Sequence, residues 1–283
     1  MTGRASFWLS ASRPRTLVAA VVPVAVGLAV ARRGGALDLS IAAATLVAAL
    51  LIQIATNFAN DYFDFQKGAD GPDRLGPRRV SGEPGAADAI KRGTMVVVVL
   101  AALVGLFLVQ HGGWPILLIG VTSLAAAIAY TGGPYPLAYH GLGDVFVFVF
   151  FGPVAVGGTY LLQRGALDSP VLLAAVPVGC LAVALLVVNN LRDIVSDRRV
   201  GKRTLAVRMG APATRWQYAA LISGAFLATL AVGVWLPLAV LPLALREVAL
   251  VWRRAGAELN ASLAGTARLH LLFGVLLTIG FSW

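Results

Sequence analysis

Long uncharged apolar segments are the feature that most restricts what this chain can fold into. Residues 39–60 and 169–191 include no charged side chain, and each range is long enough to cross a bilayer core, which needs roughly 20 apolar residues. Hydrophobic residues make up 58% of the chain and charged residues only 13%, against about 25% charged residues in soluble domains. The sequence therefore predicts an all-α, polytopic membrane protein.

We predict nine membrane-spanning helices in a single domain over residues 1–283, with cytoplasmic cap loops between them. One alternative stays open at Leu236 and Pro237, because a Pro can kink a helix as well as end it, and a single kinked segment there would leave eight spans. The predicted spans are residues 14–31, 39–61, 94–110, 114–131, 144–163, 170–193, 213–234, 236–252 and 267–283.

The basic residues predict the orientation of the bundle. With nine spans, 20 of the 23 Lys and Arg residues fall on one face of the membrane, and only Arg32, Arg33 and Arg164 fall on the other. Loops rich in Lys and Arg stay in the cytoplasm, so we place the populated face and the N-terminus inside the cell. The net charge of +10 belongs to these loops beside anionic lipid, and we expect no nucleic-acid partner.

Two acidic motifs each close an apolar segment. Residues three or four apart share a helix face, so the amide and both carboxylates of each motif can point at one spot. Mg²⁺ prefers carboxylate oxygens and often bridges protein acids to a substrate's phosphates. Acids near membrane depth usually have a partner or a function. We therefore predict one magnesium site from both motifs, which are Asn57, Asp61 and Asp64 in the first half and Asn189, Asp193 and Asp197 in the second.

Basic residues follow both motifs at a distance that lets a loop fold back over the acids. Arg offers phosphate a planar fork and Lys offers a point charge, so acids, metal and cations together indicate a diphosphate substrate. Positive-inside bias alone would also explain any one of these residues. The candidate diphosphate ligands are Lys67, Arg78, Arg79, Lys202 and Arg203.

The two motifs also indicate a repeat. They close the second and the sixth predicted span, so four spans separate them and both face the same side of the membrane. A parallel repeat of this kind, with halves of about 1–140 and 141–283, would place the site on a pseudo-twofold axis along the membrane normal.

The paired motifs, the nine-span pattern and the basic loops resemble the UbiA superfamily of intramembrane aromatic prenyltransferases. The resemblance covers nearly the whole chain. Within the superfamily, three stretches look most like the menaquinone branch, whose aromatic acceptor is 1,4-dihydroxy-2-naphthoate. These stretches are 57–79, 130–163 and 189–208, and the second contains GGPYPLAYHGLG.

This resemblance implies a bacterial enzyme of the inner membrane that needs Mg²⁺ and works at the cytoplasmic face. It would transfer a polyprenyl group from a membrane-embedded polyprenyl diphosphate to dihydroxynaphthoate, with loss of CO₂ and diphosphate, and so form demethylmenaquinone. The four aspartates would ligand Mg²⁺ and the five cations above would hold the diphosphate. Asn57 and Asn190, with Asn189 as the alternative to Asn190, would support the metal or contact phosphate.

The chain departs from the family pattern in two places. Many relatives space the first acids as Asp-x-x-x-Asp, whereas Asp61 and Asp64 are one residue closer, so a later acid is the alternative to Asp64. Many also carry Tyr-x-x-x-Lys where this chain has Tyr135-x-x-x-Tyr139. The role that the resemblance implies for Tyr135, stabilising the cation or orienting the acceptor, therefore stays open.

Three other functions compete with this one. A membrane transporter would be expected to place its ionisable residues near the bilayer midplane, whereas these acids lie at helix ends. A lipid-headgroup transferase would usually show a tighter Asp- and Gly-rich run. A sister prenyltransferase acting on 4-hydroxybenzoate, homogentisate or heme would share the aspartates, so the motifs do not separate it from the first choice.

Overall fold

Every regular element in the described part of the chain is helical, as the sequence predicts. The computed structural model describes residues 3–69, 75–76 and 80–282. Short 3₁₀ turns lie at Val80–Gly82, Leu137–His140, Leu236–Val240 and Gly256–Glu258. The helices are α1 (Arg4–Ser12), α2 (Pro14–Arg32), α3 (Leu39–Gln66), α4 (Ala86–Ala129), α5 (Gly143–Val149), α6 (Ala155–Arg164), α7 (Ser169–Arg192), α8 (Ile194–Arg199), α9 (Leu205–Ala231), α10 (Leu241–Arg253) and α11 (Leu259–Ser282).

Helix α7 is the centre of the bundle. It packs against α2, α5, α9 and α11, and Ala174, Leu181 and Val188 on it have no exposed surface. A helix that is apolar all round is typical of a bundle core or a membrane span, and here neighbouring helices bury 72% of its most apolar stretch. Asn189 of the second acidic motif lies in the last turn of this helix, whereas Asp193 directly follows the helix and Asp197 lies on α8, so the motif crosses a helix break that the sequence does not predict.

Helix α4 consists of two antiparallel segments that turn at Gly113. This glycine has φ 66° and ψ −155°, a conformation that only glycine adopts without strain. Leu108 and Ile116, on either side of the turn, pack together near the start of α3. The first turns of α4 pack beside the last third of α3, and Thr131, just beyond α4, donates a hydrogen bond to Asn60. Both ends of α4 therefore lie at the same end of the bundle.

Within the described residues, five helices are long and apolar enough to cross a membrane, or six if α1 and α2, bent by 61°, form one broken span. The nine predicted spans are not confirmed by this count. Helix α4 is counted once although it doubles back, α9 carries Arg208 and Arg215 beside a non-helical Gly210, and α10 has only 13 residues. The cytoplasmic cap loops and the two-half repeat stay predictions.

A π-helical turn at Phe150–Val154 joins α5 to α6 and packs closely on α7. A Cβ atom at Gly152 would lie 3.0 Å from the carbonyl oxygen of Ala175 and 3.2 Å from the Cα of Gly179. The absence of side chains at both glycines lets the two backbones meet. This contact holds α5 against α7, and α5 forms one wall of the cavity described next.

Candidate active site

A cavity of about 1010 Å³ extends through the bundle between α3, α4, α5, α6 and α7. Along α3 its wall runs from Thr45 to Asp64, which corresponds to about 28 Å at the helical rise of 1.5 Å per residue. Leu106, Leu117 and Val121 of α4 line this cavity and are also strongly exposed. The cavity therefore reaches the lipid-facing surface, while its end at Asp64 is polar.

The first acidic motif holds the junction between α1 and α2. Asp61 is buried and forms an ion pair with Arg13, the residue between the two helices, which adopts the left-handed conformation at φ 51°. The side-chain amide of Asn57 donates hydrogen bonds to the carbonyl oxygen of Ser12 at 2.9 Å and to Oγ1 of Thr16 at 3.0 Å. The motif thus brings the Arg13 guanidinium to the polar end of the cavity.

The second acidic motif is built around a buried arginine. Arg192 donates to both carboxylate oxygens of Asp193, from Nε at 2.8 Å and from Nη2 at 2.5 Å, and to Oδ1 of Asn189 at 2.8 Å. Its Nη1 donates to Oδ1 of Asn260 on α11 at 2.9 Å. A planar guanidinium fits a carboxylate in this two-bond arrangement. Asn190 is buried and also lines the cavity.

The two motifs meet at Tyr139. Its hydroxyl donates to Oδ1 of Asp64 at 3.0 Å, and its ring is faced by Nζ of Lys67 at 4.2 Å and by Nζ of Lys202 at 5.5 Å from the ring centroid. Nζ of Lys202 lies 3.6 Å from Oδ1 of Asp197. One tyrosine therefore connects an acid and a lysine that follow α3 to a lysine and an acid that follow α7.

Burial, together with neighbouring charges of the same sign, shifts the pKa values of Asp197 and Lys67 at this end of the cavity. Burial raises the pKa of Asp197 to about 6, with Lys202 opposing the rise and the Asp193 and Asp64 carboxylates adding to it. Burial also lowers the pKa of Lys67, with nearby Lys202 adding to the effect and Asp64 opposing it. Oδ2 of Asp197 is buried without a hydrogen-bond partner. An added cation would offset the rise in the pKa of Asp197 and would give its Oδ2 atom a partner.

The donor set fits Mg²⁺, although the acids are arranged around protein partners. In the described part of the chain, no three His, Cys, Asp or Glu side chains are grouped closely enough to hold a metal ion. Asp61, Asp64, Asp193 and Asp197 nevertheless all line the cavity, and the unpartnered oxygen of Asp197 is a free ligand position. Oxygen ligands of this type suit Mg²⁺. To gather there, Asp61 and Asp193 would have to turn from their arginines.

Not every residue singled out by the sequence reaches the cavity. Tyr135 is 57% exposed and stacks on His140 with 3.6 Å between ring centroids, and it does not line the cavity. Arg203 is exposed and lies beside Arg208 outside the cavity. Arg78 and Arg79 lie outside the described residues. Lys67 lies beside the cavity at Tyr139, and Lys202 lines it.

Four residues at the cavity were not singled out from the sequence. In the sequence, Arg13 and Arg192 belong to the excess of basic residues on one face of the membrane, although Arg192 directly precedes an acid of the second motif, which is a usable signal. Tyr139 stands where many relatives carry a Lys. Asp144, on α5, lines the cavity but belongs to no spacing pattern.

A long apolar cavity that opens to lipid and ends in acids, arginines and lysines defines a class of protein: a membrane enzyme for an apolar chain with an anionic head. Comparison with known proteins gives the family. The model of the UbiA prenyltransferase family matches residues 20–277. This chain belongs to the UbiA prenyltransferase family and is a prenyltransferase.

Several relatives that match along nearly the full length are named octaprenyltransferases. The chain is 38% identical to 1,4-dihydroxy-2-naphthoate octaprenyltransferase of Escherichia coli (strain K12), covering 98% of this chain and 95% of the relative. It is 39% identical to the protein of the same name from Mycobacterium tuberculosis, covering 95% and 94%. The predicted superfamily is thereby confirmed.

Solved structures share the fold. A UbiA homolog from Archaeoglobus fulgidus bound to DMAPP and Mg²⁺ has a TM-score of 0.67 at 14% identity, covering 98% of this chain and 99% of that chain. The apo structure of a UbiA homolog from Aeropyrum pernix K1 has a TM-score of 0.67 at 17% identity, covering 94% and 96%. The helical arrangement is therefore that of the UbiA family.

Proposed function

We propose that this protein transfers a polyprenyl group from polyprenyl diphosphate to 1,4-dihydroxy-2-naphthoate with Mg²⁺, releasing CO₂ and diphosphate and forming demethylmenaquinol, the reduced form of demethylmenaquinone. The reaction would take place in the bacterial inner membrane, with the polar end of the cavity at the cytoplasmic face. The single observation that carries the proposal is the meeting of both acidic motifs and both lysines at Tyr139, at the head of a cavity that opens to lipid.

The shape and polarity of the cavity support a prenyl diphosphate as donor. Its apolar length along α3 and α4 suits an isoprenoid tail, and its exposure to lipid suits a substrate that is dissolved in the bilayer. At the polar end, Lys67, Lys202, Arg13 and Arg192 offer cations to a diphosphate. Breaking the carbon–oxygen bond develops negative charge on the leaving diphosphate, and cations placed there stabilise that transition state more than the ground state.

Asp61, Asp64, Asp193 and Asp197 would hold Mg²⁺. When bound, the metal neutralises charge on the diphosphate and makes it a better leaving group. Asn57 would hold the junction that carries Arg13 through its bonds to Ser12 and Thr16, and Asn189 would hold Arg192 by accepting its hydrogen bond. The guanidiniums of Arg13 and Arg192 could then turn from Asp61 and Asp193 to the diphosphate, exchanging one anion for another at little electrostatic cost.

The relatives favour dihydroxynaphthoate as acceptor, since those quoted above carry that acceptor in their names. The alternative is a sister acceptor, 4-hydroxybenzoate, homogentisate or heme. The aspartates act on the donor in either case. The acceptor must therefore be decided by experiment.

The test uses purified protein in detergent or lipid with a polyprenyl diphosphate, Mg²⁺ and one aromatic acceptor at a time. We expect diphosphate release and prenylated product with dihydroxynaphthoate, release of CO₂ in equal amount, and loss of both when EDTA replaces Mg²⁺. Product from 4-hydroxybenzoate alone would move the protein to the sister branch. No product from any acceptor would refute the proposal.

A further inference from the structure

Asp144 is a fifth acid in the cavity and belongs to neither motif. It lies in the first turn of α5, is 8% exposed and lines the same cavity as the four motif aspartates. A carboxylate this close to an apolar chamber is costly unless it has a partner or a role. The diphosphate chemistry above makes no use of it.

The partners of Asp144 differ from those of the other acids. Among the described residues, Asp61, Asp193 and Asp197 each have a basic partner, and Asp64 lies close enough to Lys67 to interact with its charge. Within the same part of the chain, Asp144 has no ion pair and accepts a hydrogen bond at 3.0 Å from the side-chain amide of Gln217. A carboxylate without a nearby cation repels a diphosphate. Asp144 is therefore suited to a neutral hydrogen-bond donor, such as a phenolic hydroxyl.

The position of Asp144 places it just below the polar head of the cavity. Its neighbour Gly143 lies against Leu186, one helical turn before Asn189 and Asn190, so Asp144 lies roughly 5 Å deeper in the bundle than the second motif. The hydroxyl of Tyr130 lies 2.9 Å from the Cβ position of Gly143. This is the depth at which the first carbon of a prenyl chain would lie if its diphosphate were held by the motifs.

An aromatic surface continues from Asp144 along α5. Phe146 and Phe150 both line the cavity, and their rings are stacked with 5.9 Å between centroids and 14° between planes. A flat aromatic molecule could pack on these rings while a hydroxyl on its edge reached the carboxylate. Carboxylate, tyrosine hydroxyl and phenylalanine rings together have the composition of a binding site for a phenol.

We infer that Asp144 is a catalytic residue for the aromatic acceptor: it accepts the hydrogen bond of a ring hydroxyl and then takes its proton as the ring attacks the prenyl carbon. The inference rests on the proposed function. Gln217 is a positioning residue, because its amide holds Asp144 from α9. Tyr130 and the two phenylalanines complete the acceptor subsite.

The step balances for dihydroxynaphthoate. The carbon–oxygen bond of the donor breaks and its electron pair leaves with the diphosphate, while a π pair of the acceptor forms the new carbon–carbon bond at the ring carbon that bears the carboxylate. The adjacent hydroxyl becomes a ketone and its proton passes to Asp144. Loss of CO₂ then returns an electron pair to the ring, and the proton returns from Asp144 to the oxygen.

The test compares Asp144→Asn, which keeps the shape of the side chain and removes its basicity, with Asp144→Glu, which keeps the carboxylate. We expect Asp144→Asn to lower kcat about 100-fold or more, the usual range for a general base, with the KM for polyprenyl diphosphate and the Mg²⁺ requirement unchanged. Asp144→Glu should recover part of the rate. Glu258→Gln, a matched change at an exposed carboxylate, should leave turnover unchanged.

Methylated acceptors make the test independent of how well the variant folds. The 1-methoxy analogue of dihydroxynaphthoate has no proton to give at the carbon beside the carboxylate, so the wild-type protein should use it at least about 100-fold more slowly. In Asp144→Asn the same methylation should cost less than it does in the wild-type protein, because the share of the loss that depends on Asp144 is already absent. Equal wild-type rates with the hydroxyl and methoxy acceptors would overturn the inference.

The outcomes separate this inference from the proposed function. Wild-type protein that makes product, together with an Asp144→Asn variant within twofold of it, overturns the role of Asp144 alone. Wild-type protein that makes no prenylated dihydroxynaphthoate overturns the proposed function and this inference with it. A selective loss in Asp144→Asn that leaves donor kinetics intact supports both.

Discussion

Each aspartate of the two motifs has a partner from the protein, and this explains how four carboxylates are kept at one end of an apolar bundle. Arg13 partners Asp61, Arg192 partners Asp193, Lys202 partners Asp197, and the Tyr139 hydroxyl donates to Asp64. Removing one partner of a buried ion pair leaves an uncompensated charge, which is strongly unfavourable. The arginines are thus part of the site, which a count of cytoplasmic charges could not reveal.

Replacing either central aspartate should stop turnover. We expect Asp61→Ala and Asp193→Ala to lower product formation below about 1% of wild type, because each removes a carboxylate that would hold Mg²⁺ and leaves an arginine unpaired. Expression in the membrane fraction should remain. Product formation is measured with the donor and acceptor of the main assay, and near-normal rates in either variant would disprove the metal-ligand assignment.

The raised pKa of Asp197 predicts a dependence of Mg²⁺ use on pH. Since its pKa is about 6 rather than 3.8, the folded protein holds this proton more tightly, so protonation favours folding and that contribution is lost as the pH rises through 6. Mg²⁺ needs the deprotonated form. The Mg²⁺ concentration for half-maximal rate should therefore be roughly tenfold higher at pH 5 than at pH 8.

Titrating Mg²⁺ at both pH values checks this prediction. Asp197→Asn is the matched variant, because it cannot take up the proton, and its Mg²⁺ requirement should be high and nearly independent of pH. An identical Mg²⁺ requirement of the wild-type protein at pH 5 and pH 8 would exclude Asp197 from the metal site.

Helical spacing predicted that the motif aspartates share a site, and all four line the cavity, although the second motif crosses the break between α7 and α8 at Asp193. Tyr139 could not be found that way, because its position depends on how the turn Leu137–His140 folds over the ends of α3 and α7. Asp144 gave no signal either, since a lone acid at the start of an apolar segment has no spacing partner. Tyr135, favoured by the family pattern, is on the exposed side of the same turn.

At the scale of elements, the sequence predicts that a segment is helical more accurately than it predicts where the helix begins and ends. The prediction for residues 144–163 matches α5, the π turn and α6, and the prediction for 170–193 matches α7. The predicted start at residue 94 was too late, because Asp88 lies in the first turn of α4, where an acid favours the helix dipole. The charged residues just before residue 94 are typical of a loop, but they belong to helix α4.

The contact between the π turn and α7 predicts a pronounced sensitivity at Gly152. Ala at this position would press its Cβ on backbone atoms of Ala175 and Gly179, which cannot move as a side chain can, so we expect a loss of about 1–3 kcal/mol in unfolding free energy. Gly105→Ala meets nothing within 4 Å and should be neutral or stabilise by up to about 1 kcal/mol.

Chemical unfolding of both variants in the same detergent measures the difference. Gly152→Ala should also lower the rate of acceptor prenylation, because the displaced helix α5 carries Asp144. Equal stability of the Gly152→Ala and Gly105→Ala proteins would show that the two backbones are not in close contact.

For the whole molecule, the distribution of charge predicts orientation, whereas the number of crossings is harder to obtain. Hydropathy recognises long apolar segments such as α3 and α7, but short or charged helices such as α9 and α10 are ambiguous by length and composition. The reversal of α4 at Gly113 falls in the predicted break between the spans 94–110 and 114–131, and the packing of Leu108 and Ile116 near the start of α3 agrees with it.

Single cysteines on either side of α7 test the orientation. Leu167 precedes α7 and Val195 follows it, and both are exposed. In intact cells a membrane-impermeant maleimide should label Leu167→Cys but label Val195→Cys only after the membrane is opened. The native Cys180 is buried, so the unmodified protein is the blank. The opposite labelling pattern would reverse the orientation and place the acids outside.

The sideways opening of the cavity at Leu106, Leu117 and Val121 also bears on how selective the protein can be. A closed pocket limits the length of its ligand, because every extra methylene needs space inside the pocket. Here a longer prenyl tail would extend among the acyl chains of the lipids. Because hydrocarbon then contacts hydrocarbon, the extra length would cost almost no free energy of binding. We expect the synthase that makes the donor to set the prenyl chain length of the product. One prenyltransferase would then accept the donors of several such synthases.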